Sequence, residues 1–505
     1  MSEKHSVRER REVWRERTEF MPKSAEEPPA RNQSPHRSDE ASNDRGAKGG
    51  RKKESEKTME KENKPGEVPV EAKQPGEASK IPFRDELGAE PCLWTDRMLA
   101  ALQAGVKGKK WFSLHDKTGQ MPVLRRAWEK VRKKKGGGGV DRVEISHFRE
   151  HEESELQKLS EQLREGRYQP APVKRVWIEK MGSKEKRPIG IPTVRDRVVQ
   201  NALQMTLGPI FEIGFHPHSY GFRPWRGCKD ALRKVDQALK AGKEWVVEVD
   251  VKGYFDNINH EKLMEEIEAK ISDGATLGLI RKFLQQGVMD SHQGWQPTEK
   301  GTPQGAVVSP LLSNIYLNEL DWEINRRGEG CEMIRYADDF VVLSHSQEEA
   351  EQALERIRVW MAKRKLELHP TKTRIVHHQD KEGFEFLGYW FKAGQRYPRK
   401  KSVEKIRDKI RGQTSRLTGR SITKIIEGLN PMLKGWYGYF KHSHHQAISS
   451  VDSFVRRRLR AILARRRGKN RHANPNAHKR WPNSYFASEG LVSLMSLHRE
   501  ARQSR

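Results

Sequence analysis

Cysteine is nearly missing. Cys92, Cys228 and Cys331 are the only three in 505 residues. They are too few for a disulfide framework and too scattered for a paired-cysteine metal motif. A reducing, cytoplasmic setting is therefore expected. Long apolar runs are missing as well. No stretch approaches the roughly 18 residues of a membrane span. The opening Met1-Ser2-Glu3-Lys4-His5 lacks the apolar core of a signal peptide. Acid is short relative to base: 97 Lys and Arg face 69 Asp and Glu, a formal net charge of +28. A surplus of that size predicts a polyanionic partner, nucleic acid before any other. Residues 1–85 hold hardly an apolar side chain among Lys, Arg, Glu, Ser and Pro. Nothing there can offset the entropy of ordering, so a disordered tail is expected.

The most informative stretch is Tyr336-Ala337-Asp338-Asp339, with Met333-Ile334-Arg335 before it and Phe340-Val341-Val342-Leu343 after it. The flanks read as two short strands joined by a tight turn. The second strand is apolar on both faces and should be buried. Adjacent carboxylates at the tip of a buried hairpin repel each other and are tolerable beside a divalent cation. A third acid, Asp250, closes the strand-like run from Trp245 to Val249. One strand points successive side chains to opposite faces, so three carboxylates cannot converge from it alone. They can converge from a strand end beside a hairpin tip. Carboxylates and a backbone oxygen, such as that of Val251, suit Mg²⁺. Two such ions about 3.5–4 Å apart clamp the oxygens of a phosphoryl transfer.

Three segments in order carry a resemblance. They are Val249-Asp250-Val251-Lys252-Gly253-Tyr254-Phe255-Asp256, then Gly301-Thr302-Pro303-Gln304-Gly305 through Pro310-Leu311-Leu312-Ser313-Asn314, then Tyr336-Ala337-Asp338-Asp339. From about residue 90 onward the chain resembles the reverse transcriptase–maturases encoded inside bacterial group II introns. The resemblance implies that Asp250, Asp338 and Asp339 are catalytic and that, with Val251, they hold two Mg²⁺. It implies that Lys180 and Arg187 meet the triphosphate of the incoming nucleotide, with Lys184 competing with Lys180. Gln304 would touch that nucleotide, Phe255 would lie under its sugar and exclude a 2′-hydroxyl, and Lys372 would stand near the leaving pyrophosphate. A solvated basic turn and a solvated Lys372 are the plain alternatives. Asp256 reads as part of the approach to a helix capped by Asn259, outside the metal site.

Other stretches are read for structure. Lys133-Lys134-Lys135-Gly136-Gly137-Gly138-Gly139 lacks the Gly-Lys-Ser/Thr of a phosphate loop. It is a flexible linker or, by the resemblance, a template contact. Gly301 to Gly305 lets the backbone approach a ligand closely. Asn430-Pro431 reads as a cap and first-turn proline restarting a helix. Leu429 through Phe440 is close to the maturase signature. Arg456, Arg457, Arg458, Arg460, Arg465, Arg466 and Arg467 form a one-signed run that repels itself without phosphate, so they are expected to bind RNA. His442, His444 and His445 are not expected to bind metal.

The expected architecture is an α+β right-hand polymerase, fingers and palm, followed by an all-α thumb or maturase domain. The expected divisions are a tail to 85, a helical extension over 86–170, fingers and palm over 171–395, and a thumb with a basic C-terminal segment over 396–505. No Cys follows Cys331, so no cysteine-framed endonuclease is expected, and priming would use an existing 3′ end. The implied function is RNA-directed DNA synthesis, with binding of group II intron RNA for splicing and mobility. The implied partners are that intron RNA, an RNA template, a DNA primer and deoxynucleoside triphosphates. The alternatives are a domesticated reverse transcriptase in repair or defence, and a splicing factor that only binds RNA.

Overall fold

A computed structural model describes residues 82–106, 108–134, 136–179, 186–326, 330–415, 417–467 and 476–503. The expected disordered tail lies outside these residues up to 81, as do Lys180 and Lys184. A short helix is already present at Pro82–Glu86. Among the described residues no helix is long and apolar enough to cross a membrane.

Helix α1 (Met121–Lys134) turns Val123, Leu124, Ala127, Trp128 and Val131 inward, and α2 (Glu152–Arg164) does the same with Leu156, Leu159 and Leu163. These i, i+3, i+4 stripes exclude water by packing on neighbouring helices. Strands β1 (Val173–Glu179) and β2 (Lys186–Ile191) pair antiparallel, as their sequences predict. Helix α3 (Val194–Glu212) is buried on nearly every side and receives α1. Arg197 on its first turn donates to the Gly137 carbonyl at 2.6 Å, so the four-glycine segment is fastened to α3 and is no free linker.

Next come α4 (Cys228–Lys240), β3 (Trp245–Val249), the one-turn α5 (Tyr254–Asn257) and α6 (His260–Glu268). The Asn259 side chain caps α6 as expected, accepting from Lys262 N at 3.0 Å. Strands β4 (Val288–Asp290) and β5 (Gly294–Gln296) complete a sheet of order β2-β1-β4-β5. Helix α7 (Ser309–Ile324) leads to β6 (Glu332–Tyr336) and β7 (Asp339–Ser344), then α8 (Gln347–Lys363) and β8 (Arg374–His377).

The central sheet has order β6-β7-β3-β8, all antiparallel. Its side chains alternate between two cores with the period of two that a strand requires. Val247, Val249, Met333, Phe340 and Val342 join the large core that contains α7 and α8. Val246, Ile334, Val341, Leu343 and Val376 face α4 and the aromatics of a third sheet. That sheet is β9 (Phe384–Phe386), β10 (Tyr389–Lys392) and β11 (Gln395–Pro398).

The rest is helical: α9 (Lys400–Gln413), α10 (Ile422–Phe440), α11 (His445–Arg466) and α12 (Leu494–Gln503), around a core of its own. One expectation is corrected here. Asn430-Pro431 does not restart a helix, because α10 runs through both. Proline removes one backbone donor and strains the preceding turn. Leu429 and Leu433 stay buried on either side of it. The Asn430 side chain is no cap, since it donates to Gly490 O at 2.8 Å and accepts from Val492 N at 3.0 Å.

Candidate active site

The hairpin between β6 and β7 has the expected form. Tyr336 pairs with Asp339, leaving Ala337 and Asp338 as a two-residue loop. Ala337 takes φ +60°, a left-handed conformation that such turns ordinarily give to Gly. Two contacts hold it there. The Arg335 guanidinium, fully buried, donates to the Ala337 carbonyl at 2.8 Å and to Asn314 Oδ1 at 2.9 Å. Its other edge meets the buried Asp321 carboxylate as a fork, at 2.7 and 2.5 Å. From above, the 219–223 segment crosses the turn. A Cβ on Gly221 would stand 2.3 Å from Ala337 N, so only glycine fits that crossing.

Asp250 follows β3 beside this tip. Its backbone and that of Lys252 bond to His369 and Glu367, with Val251 opposite Leu368. In an antiparallel pair the residue between two such bonds turns its own carbonyl away from that partner. Val251 O thus faces away from the 367–369 segment. The Val249↔Phe340 pairing, continued, brings Asp250 and Val251 alongside the hairpin tip. Burial, then the Asp250 charge, pushes the Asp338 carboxyl above its ordinary range. Asp339 reaches solvent, yet the surrounding protein still desolvates its carboxyl. That desolvation, with the Asp338 charge, pushes it up to about 7, against the pull of the Leu387 amide and Arg399. Two carboxylates that resist ionisation together, with a third beside them, are the donor set a hard divalent cation neutralises. The residues present therefore fit a divalent metal. Lys372 Nζ pairs with Asp250 Oδ2 at 2.8 Å.

Across from the acids, Arg187 Nε donates to Gln304 Oε1 at 2.7 Å, joining residues 117 positions apart. Gln304 is set by a loop whose glycines pack on protein. A Cβ on Gly301 would lie 2.8 Å from the carbonyls of Phe255 and Asp256. Thr302 N donates to Phe255 O at 2.7 Å. Phe255 is half-buried against the large core, its ring 5.2 Å from that of Tyr254.

Sequence reasoning missed Asp256. Its carboxyl is pushed up by burial, while Arg175, Arg187 and a Gln304 hydrogen bond oppose the shift. It belongs to the arginine side of the site, and the cap at Asn259 hid this. Arg175, one turn of the β1 pleat from Trp177, was missed with it. The thumb also reaches the site. Tyr439 OH donates to Leu387 O at 2.7 Å, and Tyr389 OH donates to Tyr439 O at 2.5 Å.

The arginine run on α11 divides. Arg460 does not belong to an RNA surface: it is buried, donating to Trp481 O at 2.9 Å and Asn483 Oδ1 at 2.8 Å. Arg456 pairs with Asp452 at 3.2 Å and Arg458 donates to Thr414 O at 2.6 Å. Arg466 donates to the Thr418 and Arg420 carbonyls. Arg457, Arg465 and Arg467 are exposed, with Arg457 over Phe454 and Arg467 over Trp481. His444 caps α11.

Acids on a β-turn tip, an Arg–Gln pair facing them, and a basic helical region behind are the parts of a template-copying enzyme, and comparison with known proteins gives the same result. Residues 178–391 match the family model for reverse transcriptase (RNA-dependent DNA polymerase), and residues 403–481 match that for the group II intron maturase-specific domain. Protein YkfC of Escherichia coli K12 is 38% identical over 288 residues, 50% of this chain and 74% of that protein. The group II intron-encoded protein LtrA of Lactococcus lactis is 45% identical over 169 residues, 34% of this chain and 28% of LtrA. A 91 kDa protein in the cob intron of Schizosaccharomyces pombe is 40% identical over 166 residues, covering 33% and 20%. The chain thus spans about three quarters of YkfC and a smaller part of the two intron proteins. With the polymerase and maturase regions following one another in one polypeptide, the chain belongs to the group II intron-type reverse transcriptase–maturases.

Proposed function

We propose that this protein copies an RNA template onto a DNA primer and also binds its parent intron RNA to support splicing and mobility. The observation that carries the reading is the meeting of Asp250, Asp338 and Asp339 opposite the Arg187–Gln304 pair. Two Mg²⁺, held by Asp250, Asp338, Asp339 and the Val251 carbonyl, would supply charge neutralisation at the attacking and leaving oxygens. Arg187 offers a guanidinium fork to the triphosphate. Gln304, bonded to Arg187 and to Asp256, joins it, and Lys180 is proposed for the same triphosphate. Lys372, now on Asp250, is placed to exchange that carboxylate for a phosphate oxygen. Catalysis then rests on positioning and electrostatics. The boundaries we propose are an extension over 86–170, fingers and palm over 171–395 and a thumb from 396, in a protein of the cytoplasm.

Primer extension on an RNA template tests the reading with one residue. Phe255→Val removes the ring proposed to lie under the sugar. The preference for deoxy- over ribonucleotides should fall on the order of tenfold or more, the range in which a single steric contact discriminates. An unchanged ratio would make Phe255 a packing residue and no gate.

RNA binding should separate from chemistry. Replacing Arg457, Arg465 and Arg467 by Gln removes three exposed charges. The slope of log affinity against log salt for single-stranded RNA should drop by about 2, at roughly 0.7 per phosphate contact. Splicing of the intron RNA should fail, while extension of a short preformed primer–template continues. Asp339→Ala should do the reverse. Equal loss of splicing in both variants would sink the separate surface.

A further inference from the structure

A cavity of about 250 Å³ opens at the seam between the β10–β11 turn and the helical region, away from the acids. Its lining includes Lys441, His442, Ser443, His444, His498 and Arg502, and no lining residue is acidic. Three independent elements build it. The first is the turn of the third sheet, where His444 N donates to Arg396 O at 2.7 Å. The second is the joint between α10 and α11. The third is α12, which brings His498 and Arg502. The joint is also the N-terminus of α11, a helix of 22 residues, so the positive end of its dipole lies beside the cavity.

The local charges point one way. Burial, then the charges of His445 and Arg502, push the His444 imidazole below its ordinary range. The rings of His444 and His445 lie 4.2 Å apart. Arg396, among the described residues the one lining cation paired with a carboxylate, meets Asp236 at 2.5 Å and contributes little free charge. Lys441 and Arg502 extend from the rim into solvent. A concave wall of cations and imidazoles at a helix N-terminus is relieved by an anion with several acceptor oxygens. The volume is below that of a drug-sized ligand site, roughly 300–1,000 Å³. It accommodates a phosphate with its sugar.

We propose that this cavity is a phosphate-binding site, distinct from both the candidate active site and the exposed arginines of α11. Because its walls come from the third sheet and from three thumb helices, an occupant ties the thumb to the palm. The phosphate comes from an RNA backbone or from a free phosphate or nucleotide, and two probes separate these sources.

The experiment uses the full chain and the double variant Lys441→Gln/Arg502→Gln, whose side chains are exposed and outside the cores. The first probe is inorganic phosphate, compared with chloride at matched ionic strength. Ligand that binds only the folded state raises the melting temperature by mass action. The wild type should gain more from phosphate than the variant does. The second probe is a fluorescent single-stranded RNA titrated over a range of salt. If an RNA phosphate occupies the cavity, the variant binds about tenfold more weakly and its salt slope falls by about 1.4, two contacts at roughly 0.7 each. If only the phosphate response depends on the two residues, the occupant is a free phosphate or nucleotide. If neither response depends on them, the cavity is no anion site and the proposal falls.

Discussion

Asp338→Ala should lower RNA-templated primer extension by about a thousandfold or more, roughly 4 kcal/mol of transition-state stabilisation at 1.36 kcal/mol per tenfold. Asp250→Ala should do the same. The size follows from what the carboxylates are proposed to do, since a missing ligand removes charge neutralisation from the step where charge develops. The same replacements should leave the fold intact. Asp338 is held above its ordinary range by burial and by Asp250, so its charged form is disfavoured where it stands. Removing it relieves repulsion and breaks no core contact. The Asp250–Lys372 pair is largely exposed and contributes little to stability. Both variants should therefore melt at or above the wild-type temperature in the absence of divalent metal, and should keep their affinity for RNA. Extension within tenfold of wild type at saturating Mg²⁺ would remove these residues from the metal site. A collapse of the melting temperature would recast them as structural.

The acidic hairpin was legible because its evidence is local. Short apolar runs give the two strands, and a pair of acids where a turn must fall gives the candidate site. The placement of Asp250 needed only the rule that one strand cannot converge three carboxylates. Contacts made across long stretches of chain were hidden. Nothing near Asp256 reveals that Gln304 and Arg187 reach it, and the cap at Asn259 offered a sufficient local account. Pro431 misled for the same reason. An Asn-Pro step carries a helix-start signal, yet the tertiary bonds of Asn430 to the 490–492 segment, and the burial of Leu429 and Leu433, carry the helix through. In the arginine run, composition could not distinguish Arg460, which faces Trp481 and Phe486, from Arg457 or Arg465, which face solvent. Charge runs report a partner for the helix as a whole. Which members meet it depends on the rotation of the helix against its core.

From the sequence Arg335 reads only as part of a strand and Asp321 carries no signal, yet breaking their pair should have the largest effect on stability. Arg335 is fully buried and Asp321 nearly so. Either one left alone is an uncompensated charge in the core, which costs about 3–5 kcal/mol. Arg335→Met should therefore unfold at markedly lower urea concentration, and Asp321→Leu likewise. Removing both partners is a different case, because no charge is left behind. Replacing a buried pair by apolar side chains of similar volume is often neutral or stabilising. Arg335→Met/Asp321→Leu should recover most of the lost stability, giving a large coupling energy in the double-mutant cycle. Activity should not recover with it. The same guanidinium donates to the Ala337 carbonyl and to Asn314, and Asn314 in turn donates to Gly221 O at 2.8 Å. Without those bonds Ala337 keeps only the Gly221 crossing to hold its unfavourable φ, and Asp338 next to it loses its bearing on Asp250. The double variant should be stable and bind RNA, with extension still reduced by two orders of magnitude or more, since a misplacement of about 1 Å costs on the order of a hundredfold. Urea titrations and extension assays on the four proteins of the cycle read both effects. Full recovery of extension in the double variant would show that the ion pair serves the core alone and has no part in shaping the turn.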